Sequence, residues 1–529
     1  MAGPFPDAIQ TAQVLSERYG PAYRWLVTIA GMVGVVAMVL AMTTVNVAVP
    51  DVMGAFGIGQ DQAQWMSSAY MATMTAGMLI NAWLTGIFGE RRVFVGALFF
   101  FSLGALMGGT APTEHWLIFS RVLQGFSAGV AQPLVMATIF TVFPPDRRGM
   151  AMGIFGLGVV FAPAIGPTMG GLMIEYFSWR YVFFISLPFC VIAAGMGLLF
   201  MPTRRIPREI PPFDWLGFAL LCIGLFGLMT GIADGQREGW SSDTIVLRLT
   251  VGALAGLAFI LWELHTPRAL LDVRIFANVE FSAAAMIAFI FGAGMMGSTY
   301  VIPVFVQTII GFTPLLAGLM MMPAGIMLAF IFPVAGRLSD AMPASLMIIV
   351  GLLLFAAGFA WMTVADVDTT FWTLVAMIMV SRLGLGLINP SLNASSLKAL
   401  PADKVRQGSG VANFMRQLGG AFGINLMVAF FEVRTRFHAD ALTATQAWDN
   451  HTTERLLHQV QQLLQRAGLP FQQQKAGALE YLGTILNLNA QSMAFSDTFI
   501  VVGAVALLAV IPAVMLSRQQ RRSRRLAFS

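Results

Sequence analysis

Residues 133–153 read PLVMATIFTVFPPDRRGMAMG, and residues 390–410 read PSLNASSLKALPADKVRQGSG. Laid over each other without a gap, Pro133 falls on Pro390, Ala137 on Ala394, Pro144 on Pro401, Asp146 on Asp403, Arg147 on Lys404 and Gly153 on Gly410. The same register carries Gly129 onto Gly386 upstream and Gly166 onto Gly423 downstream. Each copy is an apolar run, a Pro–Asp–basic connection and the start of a second run. A duplication in parallel orientation is expected of a membrane carrier whose two halves rock about a central site.

Composition agrees. Of 529 residues, 57% are hydrophobic and only 11% charged, too apolar a surface for a soluble domain of this size. Apolar runs fall near 25–50, 62–84, 93–111, 115–142, 149–173, 180–201, 214–233, 245–265, 280–308, 314–335, 343–364, 370–399, 407–431 and 495–517. A spanning helix needs roughly 20 such residues, which makes about fourteen spanners. Helices satisfy their own backbone hydrogen bonds, and the period-two alternation of a barrel is missing. The expected fold is an all-α polytopic membrane protein: two six-helix bundles plus two extra helices. In a six-plus-six arrangement the repeat would pair spanners 4–5 with 10–11. It pairs them with 12–13, so the runs at 214–233 and 245–265 are the natural insertion.

The connections at 89–92, 144–148, 202–209, 266–274, 336–340 and 398–406 carry Lys or Arg, whereas those at 50–62, 110–115 and 365–370 carry none. The positive-inside rule therefore puts both termini in the cytoplasm. The basic tail SRQQRRSRR (517–525) belongs to this pattern and does not call for nucleic acid. The N-terminus has no signal-peptide pattern, and Cys190 and Cys222 sit in apolar runs as packing residues. The expected organisation is a cytoplasmic segment 1–24, a first bundle 25–201, extra helices with linkers 202–279, a second bundle 280–517 and a basic tail 518–529. Within the second bundle, residues 432–494 form a long polar, external connection. Leu456, Leu457, Val460, Leu463 and Leu464, then Leu479, Leu482 and Leu486, fall at helical spacing there, which predicts an amphipathic hairpin. It serves either as a lid on its own carrier or as a docking surface for a partner protein. His451, Glu454 and His458 read as a solvated face, and no metal or cofactor is expected.

The chemistry-bearing motifs lie in the spanners. RVLQGFSAGVAQP (121–133) sets Arg121, Gln124, Ala128 and Gln132 on one helical face. An arginine at mid-membrane costs on the order of 2.5–3.5 kcal/mol, so Arg121 must face the interior or a wet cavity. GLGVVFAPAIGPTMGG (156–171) concentrates Pro163, Gly166, Pro167, Gly170 and Gly171, which permit bending and close helix approach. With NFMRQLGGAFG (413–423) and the repeat, these stretches resemble the major facilitator superfamily, in particular its fourteen-helix drug/proton antiporters of the EmrB and QacA type. The resemblance covers essentially the whole chain. It implies export of small amphiphilic molecules in exchange for protons, from the inner membrane of a bacterium, with a periplasmic adaptor and an outer-membrane channel as partners.

Two stretches depart from the family's pattern. The loop after spanner 2, AWLTGIFGERR (82–92), keeps Gly89, Arg91 and Arg92 but has Gly86 and Ile87 at the acidic and basic positions of a charge-relay gate. The second half keeps a fuller copy in Gly336, Arg337 and Asp340. In LAMTTVNVAVP (40–50) the position where the resemblance implies a proton-carrying acid is Ala41. Thr43 and Asn46 remain as polar handles. No Asp or Glu sits plainly at mid-membrane, whereas Arg121, Arg382 and Arg416 do. With Gln124, Gln132, Asn389, Asn393 and Asn413 they are the expected pathway groups, and an anionic or zwitterionic cargo would suit them. Rim acids such as Asp51 or Glu175 are the remaining carriers for a proton. The alternatives are an exporter of a specific anionic product or siderophore with non-standard coupling, and a solute–proton symporter. Neither an enzyme's acid or histidine cluster at one membrane face nor a GxxxxGK[ST] nucleotide loop is present.

Overall fold

The computed structural model describes residues 6–58, 60–203, 212–266, 270–312, 314–446 and 450–528. All regular structure among them is helical. After α1 (Pro6–Tyr19) the chain crosses in α2 (Tyr23–Thr44) and turns through α3 (Val49–Phe56). It then passes through α4 (Gln60–Phe88), α5 (Glu90–Gly109), α6 (Glu114–Val142), α7 (Arg148–Tyr176) and the pair α8 (Tyr181–Phe184) and α9 (Leu187–Phe200). Two helices, α10 (Trp215–Glu238) and α11 (Asp243–His265), precede α12 (Val279–Thr308), α13 (Pro314–Ala341), α14 (Ala344–Met362), α15 (Phe371–Lys398) and α16 (Val405–Ala444). The chain closes with α17 (His451–Arg466), α18 (Phe471–Leu508) and α19 (Val510–Phe528). Thirteen helical stretches among the described residues are long and apolar enough to cross a membrane. The 29-residue α7 is not one of these thirteen, and part of its middle lies outside the described side chains.

Local chemistry sets the boundaries. Thr113, Asn278, Thr370 and Asn450 cap α6, α12, α15 and α17 by accepting from backbone N–H groups of the first turn. Gly89 joins α4 to α5 at φ 79°, a backbone that a side chain would strain. The first apolar run does not cross as one α-helix. Thr43 Oγ1 donates back to the carbonyl of Leu40 at 3.0 Å, the backbone tightens into a 3-10 turn at Val45–Ala48, and Pro50 opens α3. The last run bends instead of breaking. Ala509 stays helical between α18 and α19, and Pro512 removes one donor there.

Two large apolar cores result, with a smaller third one around Val45, Val52, Leu117, Trp179 and Phe183. One joins α2, α4, α5, α6, α7 and α9, and the other joins α12 to α15 with α18 and α19. Past the inserted pair the first core takes in Leu270, Leu271 and Ile275 of the connection, then Phe281, Ala285, Ala394, Leu397, Val405, Val411 and Phe414, near the ends of the helices that carry the basic connections. Helices α10 and α11 pair with each other, and Leu221, Leu225 and Phe259 join the first core. Trp65 of α4 stacks on Phe226 of α10 at 5.9 Å.

The segment 432–494 is less a loop than a continuation of its spanners. Helix α16 runs 40 residues, about 60 Å at 1.5 Å per residue, twice the hydrocarbon thickness. The amphipathic α17 folds back on α18, where Ala478 is fully buried and Gln474 Nε2 donates to the carbonyl of Leu469 at 2.8 Å. The hairpin expected from the leucine spacing is present, and its second arm is the spanner itself.

Candidate translocation pathway and gate

Glycines bring the helices between the two halves into contact. A methyl at Gly153 of α7 would stand 2.5 Å from the carbonyl oxygen of Phe332 in α13, and one at Gly410 of α16 would stand 2.7 Å from that of Met78 in α4. These are repeat-related positions, so the two crossings are the same contact made twice. The side chains pair in the same way. Ser409 Oγ donates to the carbonyl of Pro133 (3.0 Å), and Asn413 Nδ2 reaches Met136 Sδ (2.9 Å), joining α16 to α6. Gly156 of α7 lies against Asn389 of α15, whose Oδ1 accepts from Asn393 Nδ2 at 2.7 Å. All of these contacts lie in the halves of the helices nearest the basic connections.

At that end two latches close the halves. Asp340 at the end of α13 accepts from the backbone N–H of Gly149 (2.7 Å) and Met150 (2.9 Å), the first turn of α7, where the free donors and the helix dipole favour an anion. Lys398 stands 3.6 Å from the same carboxylate. A Cβ at Gly149 would collide with Ser339 Oγ and Gly336 O. Gly336 approaches Gly149 in return, and Arg337 lines a small pocket with Asp146, Arg147 and Met150. On the repeat-related side Gly86 offers no acid. Glu90, four residues on, accepts from Arg406 Nη1 of α16 at 2.8 Å, a pair mostly hidden from solvent. Arg91 braces this corner by donating to the carbonyl of Met201 (2.8 Å), while Arg92 faces outward.

Toward the opposite end, α2 meets α7. A Cβ at Gly166 would collide with Thr43 Oγ1, and one at Gly170 would sit 2.9 Å from the carbonyl oxygen of Thr44. The glycine-rich stretch of α7 is therefore the seat for the place where α2 gives way to its 3-10 turn. Gly171 meets nothing within contact range. The side chains of Asn46, Pro163 and Pro167 lie outside the described residues.

Arg121 is fully buried among α2, α4 and α6. Its Nε donates to the carbonyl of Met66 (3.0 Å), and Nη1 donates to Gln124 Oε1 (2.8 Å) and the carbonyl of Ala41 (3.4 Å). The guanidinium covers the ring of Tyr70 at 4.3 Å, and Nη2 has no partner. Tyr70 in turn donates to the carbonyl of Met38 at 2.9 Å. Thus the arginine contacts position 41 through its backbone. In the other half Arg382 Nη1 donates to Ser298 Oγ (3.0 Å), and Arg416 Nη2 donates to Asn413 Oδ1 (2.6 Å). None of the ion pairs found among the described residues involves Arg121, Arg382 or Arg416.

Asn81, Gln417, Glu90 and Arg406 were not singled out in the sequence, whereas Gln132 and Asn389 were. Asn81 of α4 is fully buried and neither amide atom has a partner; Gln417 Nε2, Gln132 Oε1 and Asn389 Nδ2 are buried and unpartnered as well. A lone Asn in GMLINAWLTG was the available signal for Asn81, and the repeat was the signal for Arg406, which falls on Gly149.

Two cores joined at one end, twin glycine crossings and a duplicated latch are the architecture of an alternating-access carrier. A family model described as Major Facilitator Superfamily matches residues 31–424. The chain belongs to the Major Facilitator Superfamily. Its relatives place it in the EmrB and QacA-type branch. The multidrug export protein EmrB of Haemophilus influenzae is 27% identical, with 83% of this chain and 86% of that protein covered. The fatty acid resistance protein FarB of Neisseria gonorrhoeae is 26% identical over 94% of this chain and 97% of its own. The crystal structure of the human organic anion transporter MFSD10 shares the fold at a TM-score of 0.59 and 13% identity, covering 91% of this chain and 99% of that one. The superfamily member described here is a multi-pass membrane transporter of the efflux type and not an enzyme.

Proposed function

We propose that the chain exports small amphiphilic molecules across the bacterial inner membrane, with both termini in the cytoplasm. The observation that carries this reading is the closed gate at the end bearing the basic connections, together with relatives named for drug export. The positive-inside rule makes that end cytoplasmic, so the gate is shut on the cytoplasmic side, as in a carrier that has delivered its cargo. The test is export of ethidium from an efflux-deficient host. Cells making the protein should hold several-fold less dye than cells making a Gly149→Leu variant, and equal retention would sink the reading.

The α17–α18 hairpin is the docking surface we assign to a periplasmic adaptor, and through it to an outer-membrane channel. Its support is the exposed apolar set Leu463, Phe471 and Leu479 on the hairpin, with Phe437 of α16 exposed as well, on helices longer than a bilayer needs. Proton exchange is the coupling that the family resemblance implies. Position 41 offers no carboxylate for it, and Asp51 and Glu175 at the rim are exposed. A second reading, export of anionic amphiphiles, is favoured by three spanner arginines with neutral partners. The name of FarB points to fatty acids, which are anions of that class.

A further inference from the structure

The pathway carries positive charge that no ion pair neutralises among the described residues. Arg121, Arg382 and Arg416 bond to backbone carbonyls, a glutamine, a serine and an asparagine. Burying a cation without a counter-charge is costly, and an anion that enters the site relieves the cost. Arg121 and Arg382 are packed away at 0% and 7% exposure, whereas Arg416 is part exposed. It stands one helical turn outward of Asn413, whose contact with Met136 is the outermost of the α6–α16 contacts described above. Beside it Gln417 holds a buried amide nitrogen with no partner. Of the three arginines Arg416 is thus the one that keeps part of its surface accessible, with Gln417 next to it in the chain. The position from which a proton would be exchanged is Ala41, and its carbonyl is taken up by Arg121.

We propose that this carrier moves amphiphilic anions as net charge, driven outward by the membrane potential without a proton, and that Arg416 is the group that holds the anion. The proposal rests on the export reading above and names its cargo class and driving force. An inside-negative potential of 100 mV drives a monovalent anion outward to a ratio of about 50-fold, equivalent to about 2.3 kcal/mol. The cycle balances in charge. With an anion on Arg416 the site moves outward electrically neutral. The empty site returns inward carrying the arginine's positive charge, and the potential pulls it in that direction. One negative charge leaves per turn, and no titrating side chain is required.

The test uses the full-length protein in liposomes of neutral phospholipid, with 8-anilinonaphthalene-1-sulfonate as cargo because its sulfonate stays charged at any usable pH. A potassium gradient with valinomycin sets the voltage, and internal and external pH are held equal. Efflux should run at least 10-fold above protein-free liposomes when the interior is negative, and should stall when the voltage is reversed. It should not respond to a pH gradient imposed at zero voltage. Arg416→Gln should lose at least 10-fold of this rate, and Arg416→Lys should keep most of it, with melting temperatures in detergent showing that both variants fold. A pH gradient that drives efflux at zero voltage overturns the proposal, and so does an Arg416→Gln variant that transports normally. Counterflow separates this failure from that of the export reading. Exchange of ethidium but not of the sulfonate refutes the anion proposal and leaves export standing, whereas exchange of neither probe refutes both.

Discussion

Arg121 and Ala41 show how one side chain changes the task of its neighbours. The arginine keeps its place on the inner face of α6, yet its partners are carbonyls, a glutamine and an aromatic ring. Hydrogen bonds to a charged group are worth about 1.5–3 kcal/mol each, so Arg121 staples α2, α4 and α6. Arg121→Gln should lower the melting temperature in detergent measurably and abolish transport; an unchanged melting curve would show that the staple is idle. Ala41→Asp brings a carboxylate to the turn whose carbonyl Arg121 already contacts, near an Nη2 with no partner. The variant should acquire a pH-dependent transport rate that the parent lacks, because the new group titrates and Ala41 does not. Identical pH profiles for the two would show that position 41 only packs.

Among the helices, the gate is asymmetric although the fold is duplicated. One latch sets the Asp340 carboxylate on the N-terminus of α7, and the other is an ion pair between Glu90 and Arg406. Breaking a shielded pair by removing one partner leaves the other charge uncompensated. Glu90→Gln should therefore open the end bearing the basic connections and raise the labelling of a cysteine placed at Ser409 several-fold. The exchange Glu90→Arg with Arg406→Glu should bring labelling back toward the parent level. Failure of the exchange to restore closure would remove the pair from the gate. At Gly149 the constraint is steric. Gly149→Ala collides with Ser339 and Gly336 when closed, so transport should fall by about 10-fold or more while an inward-open form persists. A cross-link between α7 and α13 that forms as readily in this variant as in the parent would contradict it.

For the molecule as a whole, the separation between the carrier and the α17–α18 hairpin makes a prediction of its own. Helix α17 packs on α18 well away from the gate contacts. Deleting residues 451–466 with a short linker should leave counterflow in liposomes within about two-fold of the parent and abolish drug resistance in a host with an outer membrane. Loss of both would mean that α17 is part of the carrier and not a docking element.

The amino-acid sequence by itself determined the helical class, the spans, the duplication and the oddity at Ala41. Those features follow from local periodicity and from the requirement that a chain in lipid satisfy its backbone within each helix. It also marked Gly166 and Gly170 as places of close helix approach, where a side chain would intrude, and Gly336, Arg337 and Asp340 as a gate motif. Only the tertiary structure decided what each group meets. Gly166 meets Thr43, Glu90 takes over at the gate where Gly86 has no acid, and Arg121 bonds to the backbone of position 41. These are contacts between residues tens to hundreds of positions apart. They depend on helix rotation and crossing distance, which packing fixes and which no local pattern in the chain records.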